Sequence, residues 1–207
     1  MENKIYLFGA SGHCKVVLDL LASTAEFIVK GIVDDQPCRE ELYGIPVLHT
    51  DNVGTFSDKE FIVTIGNNST RKKIVTQLSA VYPIAVHTKA TVSAHVLLGE
   101  GTVIMAGVVI NPDVVIGAHC IINTAAVIEH DCKIGNYVHV SPNAALAGNV
   151  TIGEGTHIGI GAIVIQGVTI GKWATIGAGA ILIDDVPDYA VVVGNPGKII
   201  KYNSKDE

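Results

Sequence analysis

A strict six-residue spacing of aliphatic side chains organises the second half of the chain. Every sixth residue from Val92 to Leu182 is valine, leucine or isoleucine, without an insertion. Four residues after each of them stands valine, threonine, cysteine or alanine, and the residue directly after each aliphatic residue is often glycine. Side chains two residues apart along a strand point to the same side of it. Both regular positions are therefore predicted to point inward, and the residues between them to form turns.

This repeat predicts a triangular prism of stacked coils. Three short strands and three turns close one coil, and coils stack at roughly 4.8 Å, the ordinary strand spacing. The pattern is typical of the left-handed parallel β-helix built from hexapeptide repeats, here predicted over residues 86–207 with a C-terminal tail. Outward residues one coil apart share a face, which defines an apolar face (Val109, Val127, Ala145, Ile163, Ile181), a histidine face (Val103, Ile121, His139, His157, Thr175) and a lysine face (Leu97, Val115, Lys133, Thr151, Thr169).

The apolar face is predicted to be a subunit interface. An outward stripe made only of alanine, valine and isoleucine is expected to be covered. A closed three-fold ring of identical chains is the simplest arrangement that covers it, so we expect a homotrimer.

Residues 1–85 follow a different pattern, in which apolar strands alternate with helices. Strands are predicted at 4–10, 27–35 and 61–68, and helices at 11–23 and 70–80, the first with an apolar stripe at Val16, Val17, Leu20 and Leu21. This alternation predicts a small Rossmann-like α/β domain with a parallel sheet.

Polar and glycine residues follow each of the three predicted strands. Ligands of parallel sheets bind beyond the carboxyl ends of the strands, so these segments should meet in one crevice. The first segment opens a helix, whose N-terminus suits a phosphate, and an acid some 20 residues further on suits a ribose or base. A nucleotide-linked ligand is one interpretation, and a helix cap with ordinary turn residues is the other. The segments are Gly9–His13, Asp34–Asp35 and Gly66–Asn68.

Composition excludes some classes of function. The net charge is −6 and basic runs are absent, which argues against nucleic acid or an anionic membrane as a partner. The N-terminal segment does not have the pattern of a signal peptide, and no apolar run is long enough for a transmembrane helix. The four cysteines have no metal-type spacing, so we predict free thiols in a cytoplasmic protein.

The triplet Glu129-His130-Asp131 fills a turn of the prism. Its histidine has an ordinary pKa near 6.5, which a neighbouring carboxylate raises, so it suits proton transfer. An ordinary polar turn is the alternative interpretation. Cysteine nucleophiles are not expected, because Cys120 and Cys132 occupy inward positions.

Six segments, in this order, resemble one family of bacterial sugar acetyltransferases: GASGHCKVV, IVDD, IGNN, TRKKI, NTAAVIEHDCKIGNYVHVSPNAALAGNV and VVVGNPGK. The family joins a Rossmann-like domain to a left-handed β-helix, and includes N-acetyltransferases of UDP-4-amino sugars and of perosamine, and proteins named sialic acid O-acetyltransferases. The resemblance covers nearly the whole chain. It implies an acetyl-CoA-dependent enzyme that acetylates the amino group of a nucleotide-linked amino-dideoxy sugar.

The same resemblance implies roles for single residues. His130 would be the general base, and Asp131 would orient its imidazole and increase its basicity. The acetyl-CoA site would be lined by His139, Gly148, Ile160 and Ala178. The nucleotide sugar would be held by Ser11, Gly12, His13, Asp34, Asp35 and Gly66.

The repeat places His130 and His139 far apart on one prism. His130 lies at the corner between the apolar and lysine faces, whereas His139 lies on the histidine face. The two can share a site only if they come from different subunits, so we predict active sites between protomers. His157 is either a second site residue or a solvated neighbour, and His49, His87, His95 and His119 are predicted at the surface.

Three other functions remain open at this stage. A sugar O-acetyltransferase of the sialic acid type would use the same residues. A non-catalytic nucleotide-sugar-binding scaffold would not need the His130-Asp131 pair. A zinc enzyme on the same fold would need three converging histidines, which the 130/139/157 spacing does not provide, so no metal is expected.

Overall fold

The computed structural model describes residues 3–52, 54 and 59–204. Its N-terminal domain has a five-stranded sheet in the order β3-β4-β2-β1-β5, in which β1, β2, β4 and β5 run parallel. The elements are β1 (Asn3–Phe8), α1 (Gly12–Thr24), β2 (Phe27–Asp34), β3 (Glu41–Leu42), β4 (Ile45–His49), a 3₁₀ turn (Thr50–Asn52), β5 (Glu60–Val63) and α2 (Asn68–Gln77). The Rossmann-like α/β prediction is therefore confirmed in its class, with three strands and two helices near their predicted places.

Two details of this domain differ from the prediction. The hairpin β3–β4 was not predicted, and β4 adds a parallel strand beside β2. The predicted apolar stripe of α1 was wrong at Val16, which is 41% exposed. The buried face instead includes Cys14, Val17 and Leu18, because residues three and four apart share one side of a helix.

The second domain is the predicted β-helix. Its histidine face contains β6 (Ala85–Val86), β9 (Val103–Ile104), β12 (Ile121–Ile122), β15 (His139–Val140), β18 (His157–Ile158) and β21 (Thr175–Ile176). The apolar face contains β7 (Thr91–Val92), β10 (Val109–Ile110), β13 (Val127–Ile128), β16 (Ala145–Leu146), β19 (Ile163–Val164) and β22 (Ile181–Leu182). The lysine face contains β8 (Leu97–Leu98), β11 (Val115–Ile116), β14 (Lys133–Ile134), β17 (Thr151–Ile152) and β20 (Thr169–Ile170).

Every neighbouring pair within a face is parallel and in register at 18 residues, as in the pairing of Val127 with Ala145. The inward positions from Ile104 to Leu182 are buried, including Cys120 and Cys132. Beyond the repeat, β23 (Ala190–Val193) pairs parallel with β21, and β24 (Lys198–Tyr202) pairs antiparallel with β23. The sequence predicted only a tail there.

The N-terminal domain packs on one end of the histidine face. Helix α1 lies against β6, and the outward residues Val103 and Ile121 are only 2% and 1% exposed. Along the rest of this face, the half-buried His139 and His157 lie beside the N-terminal domain. No helix among the described residues is long and apolar enough to cross a membrane.

Candidate functional site

His130 occupies the corner between the apolar and lysine faces, in the turn from β13 to β14. Asp131 adopts a left-handed conformation (φ 62°), and its N–H donates to the Pro112 carbonyl of the previous coil (3.2 Å). Gly148 stands one coil above. A Cβ added there would lie 2.8 Å from His130 Nε2, closer than real Cβ contacts come. The corner therefore has room for the imidazole only because residue 148 lacks a side chain.

The imidazole is held by Asp131. His130 Nδ1 lies 2.7 Å from Asp131 Oδ2, an ordinary length for an N–H that donates to a carboxylate. Glu129 is engaged elsewhere, because its Oε2 accepts a hydrogen bond of 2.7 Å from the Asn111 amide. The hydrogen bond to Asp131 is the main cause that raises the pKa of His130. With Nδ1 donating, Nε2 is the nitrogen left to accept a proton.

Replacing Asp131 by Asn should move the acidic limb of the pH–activity profile to lower pH. A general base works in its neutral form, so activity falls as the pH drops through the pKa of His130. Asp131→Asn removes the carboxylate that raises this pKa, and the limb should shift towards pH 6.5, the ordinary value for histidine. The measurement is kcat/KM between pH 5 and 9 for both proteins. An unchanged limb would show that another group controls it.

The crevice of the N-terminal domain forms as the strand order implies. The Ala10 N–H at the end of β1 donates to Asp34 Oδ2 (2.8 Å), which joins the β1 and β2 segments. Thr64 Oγ1, just after β5, donates to the Phe8 carbonyl (2.8 Å). Asp35 accepts a hydrogen bond from the Thr50 hydroxyl beyond β4. The segments with the predicted substrate residues Ser11, Gly12, His13, Asp34, Asp35 and Gly66 thus meet at one edge of the sheet.

Three histidines connect this crevice to the β-helix. The ring centroids of His13 and His139 are 6.5 Å apart, and the His139 and His157 rings stack at 4.9 Å. Burial and the positive charge of Arg71 lower the pKa of His13 to about 4. Burial, followed by His157 and Arg71, lowers the pKa of His139 to about 3. These two imidazoles are therefore neutral at physiological pH.

Hydrogen bonds fix the orientation of the stacked pair. His139 Nε2 lies 3.0 Å from Asn123 Nδ2, and His157 Nε2 lies 2.8 Å from Ser141 Oγ. An amide NH₂ can only donate, so His139 Nε2 accepts and its proton is on Nδ1. Among the described residues, neither His139 Nδ1 nor His13 Nε2 has a hydrogen-bond partner. His13 Nε2 is thus available to a polar ligand, whereas His139 lies beside the Gly66 backbone, which raises its pKa.

The predicted acetyl-CoA residues fall in three places on one chain. Gly148 is beside His130, whereas His139 lies on the histidine face with His13. Ile160 (53% exposed) and Ala178 occupy successive coils of the next corner, between the histidine and apolar faces. A single chain therefore does not bring Gly148 and His130 together with the other three residues.

Sequence reasoning missed the residues that support this site. Asn123 and Ser141 occupy the same hexad position, each 16 residues before the histidine that it holds. That shared spacing was the signal in the sequence from which these two partners of the histidines could have been predicted. The surface prediction for His119 was wrong, because its ring is 3% exposed and stacks on Tyr137 with centroids 5.4 Å apart.

The cysteines are free thiols and three of the four are buried. Burial raises the pKa of Cys14 and of Cys120 to about 11, and it also raises that of Cys132. Protonated, buried thiols are poor nucleophiles. Within the part of the chain that the structure describes, no group of three or more His, Cys, Asp or Glu residues could hold a metal ion.

Two protein families match separate parts of the chain. Residues 4–78 match the PglD N-terminal domain, and residues 95–127 and 149–184 match the bacterial transferase hexapeptide (six repeats). The chain is also 40% identical over 114 residues to UDP-N-acetylbacillosamine N-acetyltransferase of Bacillus subtilis (strain 168). That match includes 51% of this chain and spans about half of the relative (52%).

Solved structures match over nearly the full length. The acetyltransferase domain of PglB from Neisseria gonorrhoeae FA1090 is 37% identical, with a TM-score of 0.89, over 96% of this chain and 100% of that chain. The same domain has been solved in complex with acetyl coenzyme A. A histidine variant of perosamine N-acetyltransferase from Caulobacter crescentus, in complex with CoA and GDP-perosamine, is 39% identical, with a TM-score of 0.90, over 96% and 97% of the two chains.

Proposed function

The chain belongs to the family of acetyl-CoA-dependent sugar N-acetyltransferases that join a PglD-type domain to a hexapeptide β-helix, and we propose that it acetylates the amino group of a nucleotide-linked amino-dideoxy sugar. The observation that supports this most directly is the His130–Asp131 pair. Because Asp131 holds His130 Nδ1, His130 Nε2 is the nitrogen left to act as a base. The crevice with Asp34 and Gly66 is the proposed nucleotide-sugar site. The complexes of the relatives with GDP-perosamine and with acetyl-CoA support both substrates.

The proposed reaction is direct transfer without a covalent enzyme intermediate. The sugar amine attacks the thioester carbonyl, and the new C–N bond forms while the carbonyl electrons move to oxygen. His130 Nε2 takes a proton from the attacking nitrogen. When the intermediate collapses, the C–S bond breaks and the imidazolium returns this proton to the CoA sulfur. Asp131 stabilises the imidazolium by accepting its Nδ1–H.

In this proposal, acetyl-CoA binds at the corner that contains Ile160 and Ala178. A side chain built on Gly161 or Gly179 would meet no atom within 4 Å, so this corner is smooth and open on two successive coils. Together with the exposed Ile160, it gives the pantetheine arm a flat, partly apolar surface. We propose that His139 and Gly148 complete the site from opposite sides.

The proposed assembly is a homotrimer with active sites between protomers. On an isolated chain the apolar face is covered only in part, since Ile163 is 45% exposed, whereas the N-terminal domain occupies part of the histidine face. A three-fold ring would bury the apolar face and bring the His130 corner of one protomer to the histidine face of the next. The proposal includes a cytoplasmic location, which the free thiols support.

A thiol-release assay tests the proposed function. The purified protein should release CoA from acetyl-CoA only with an amino sugar attached to UDP or GDP, and mass spectrometry should show one added acetyl group on nitrogen. The panel includes sialic acid and the matching hydroxy sugars, which separate O-acetylation from N-acetylation. Tight binding of a nucleotide sugar without any CoA release would instead support the scaffold alternative.

A further inference from the structure

A buried arginine at the start of α2 ties the two domains together. The Arg71 side chain is 1% exposed. Burial lowers its pKa to about 10, so it is charged at neutral pH, and no Asp or Glu is among the groups that shift this pKa. All five of its N–H donors are used. They donate to the carbonyls of His119 (2.8 Å), Tyr137 (2.8 Å), Ile65 (2.9 Å) and Gly66 (3.3 Å), and to Asn68 Oδ1 (2.7 Å).

The β-helix presents a row of unpaired carbonyls to this arginine. His119, Tyr137 and Gly155 stand one coil apart at the corner between the lysine and histidine faces, all with left-handed backbones (φ 54°, 59° and 70°). Their N–H groups bond to the coil before, but among the described residues no backbone N–H donates to their carbonyls. Arg71 satisfies the first two, and the Asn68 amide satisfies that of Gly155 (3.0 Å). A buried carbonyl left without a donor is costly, so this pairing fixes how α2 sits on the prism.

The opposite side of the guanidinium holds the loop that enters α2. The carbonyls of Ile65 and Gly66 both accept from Nη1, so the end of the β5 segment is bound to the same group as the β-helix corner. Gly66 is in turn close enough to His139 to affect its pKa. A shift of Arg71 would therefore displace Gly66 relative to His139.

The charge of Arg71 also reaches the three histidines of the crevice. It lowers the pKa of His13, His139 and His157, in each case after burial. The groups that shift the pKa of His139 are His157, Arg71, His13 and the Gly66 backbone, and none of them is acidic. The part of the crevice beside these three histidines is therefore electropositive without a protonated histidine, which is complementary to an anionic group of the acceptor such as a diphosphate, whereas the carboxylates of the crevice lie at the end of β2.

We propose that Arg71 is a positioning residue for the acceptor substrate, which locks the loop after β5 onto the β-helix and thereby sets the spacing between His13 and His139. It acts through other residues, since its side chain is enclosed by protein. The substrate part of this inference rests on the proposed function, whereas the locking of the loop does not.

Two substitutions separate the geometry from the charge. Arg71→Lys keeps the charge but has three donors for five acceptors, and Arg71→Met removes both charge and donors. Lys73→Met is the matched control, because Lys73 is an exposed cation on the same helix. Kinetics would be measured for each substrate separately, with circular dichroism as the check of folding. Histidine pKa values would be measured by NMR in the protein without substrates.

Both Arg71 variants should raise the KM for the amino sugar about tenfold or more, the effect of one buried hydrogen bond left unsatisfied. The KM for acetyl-CoA should rise less, because His139 is the one proposed acetyl-CoA residue that lies beside this loop. The pKa of His139 should rise in Arg71→Met and stay low in Arg71→Lys. If Arg71→Met does not fold, Arg71→Lys decides the KM prediction. The inference is overturned by an unchanged amino-sugar KM, by equal losses for both substrates, or by a His139 pKa that does not respond. The NMR titration needs no turnover, so it tests Arg71 even if no acceptor is acetylated.

Discussion

His130→Ala is expected to lower kcat by roughly 10²–10⁴-fold, the usual contribution of a general base. The KM values should change little, because His130 is an exposed corner residue that neither fills the core nor anchors the nucleotide. His130→Asn should be almost as slow, since an amide can keep a hydrogen bond to Asp131 but cannot accept the proton. The measurement is steady-state CoA release with saturating acetyl-CoA and a range of amino-sugar concentrations.

His95→Ala is the matched control for this experiment. His95 is also an exposed turn histidine at the corner between the apolar and lysine faces, on a lower coil. The His95→Ala protein should retain the activity of the wild-type protein. A His130→Ala protein that keeps full activity would refute the mechanism. A loss accompanied by a similar rise in both KM values would point to damaged binding rather than to a missing base.

The β-helix could be predicted closely because every coil repeats the same local rule. The burial of Ile104 or Leu182 depends on its place in a six-residue unit, and neighbouring coils are always 18 residues away. The N-terminal hairpin lacked such a rule. Its first strand has two residues, Glu41–Leu42, and Pro46 interrupts the pattern of the second.

The candidate site was predictable where its residues are adjacent in sequence or follow neighbouring strands of the sheet. His130 and Asp131 are adjacent, and the strand order explains why Asp34 lies near Ala10. The docking of the two domains was not predictable, because Arg71 bonds to a carbonyl 48 residues away. In the sequence, Arg71 is followed by two lysines in a segment typical of a solvated helix, and nothing local indicates that it is buried.

The same limit explains why the prediction for His119 was wrong. The repeat gives the face on which His139 and His157 lie, but not what packs against that face. His119 was placed at the surface because its turn faces outward from the prism. The N-terminal domain covers it, and Tyr82 contacts the edge of its ring with centroids 4.7 Å apart.

Mixing two inactive variants should restore activity if each site is shared between protomers. His130 and His139 lie on separate parts of one prism, at a corner and on the histidine face. In the proposed trimer, each site uses His130 of one chain and His139 of its neighbour. Trimers of His130→Ala chains have no base at any site, and trimers of His139→Ala chains lack the other histidine at every site. Both pure proteins should be almost inactive.

A mixed trimer always contains one junction at which an intact His130 faces an intact His139. If the two variants are unfolded together in equal amounts and refolded, three quarters of the trimers should be mixed, each with one working site of three. The expected recovery is therefore about one quarter of the unmixed wild-type activity, on the basis of ring symmetry alone.

Mixing without unfolding is the control and should give no recovery, because the subunits stay in their original rings. If refolded mixtures stay inactive while refolded wild-type protein regains activity, His130 and His139 do not form a shared site, and the inter-protomer arrangement is wrong. If either variant alone retains substantial activity, that histidine is not required, and the pairing proposed here fails at that residue.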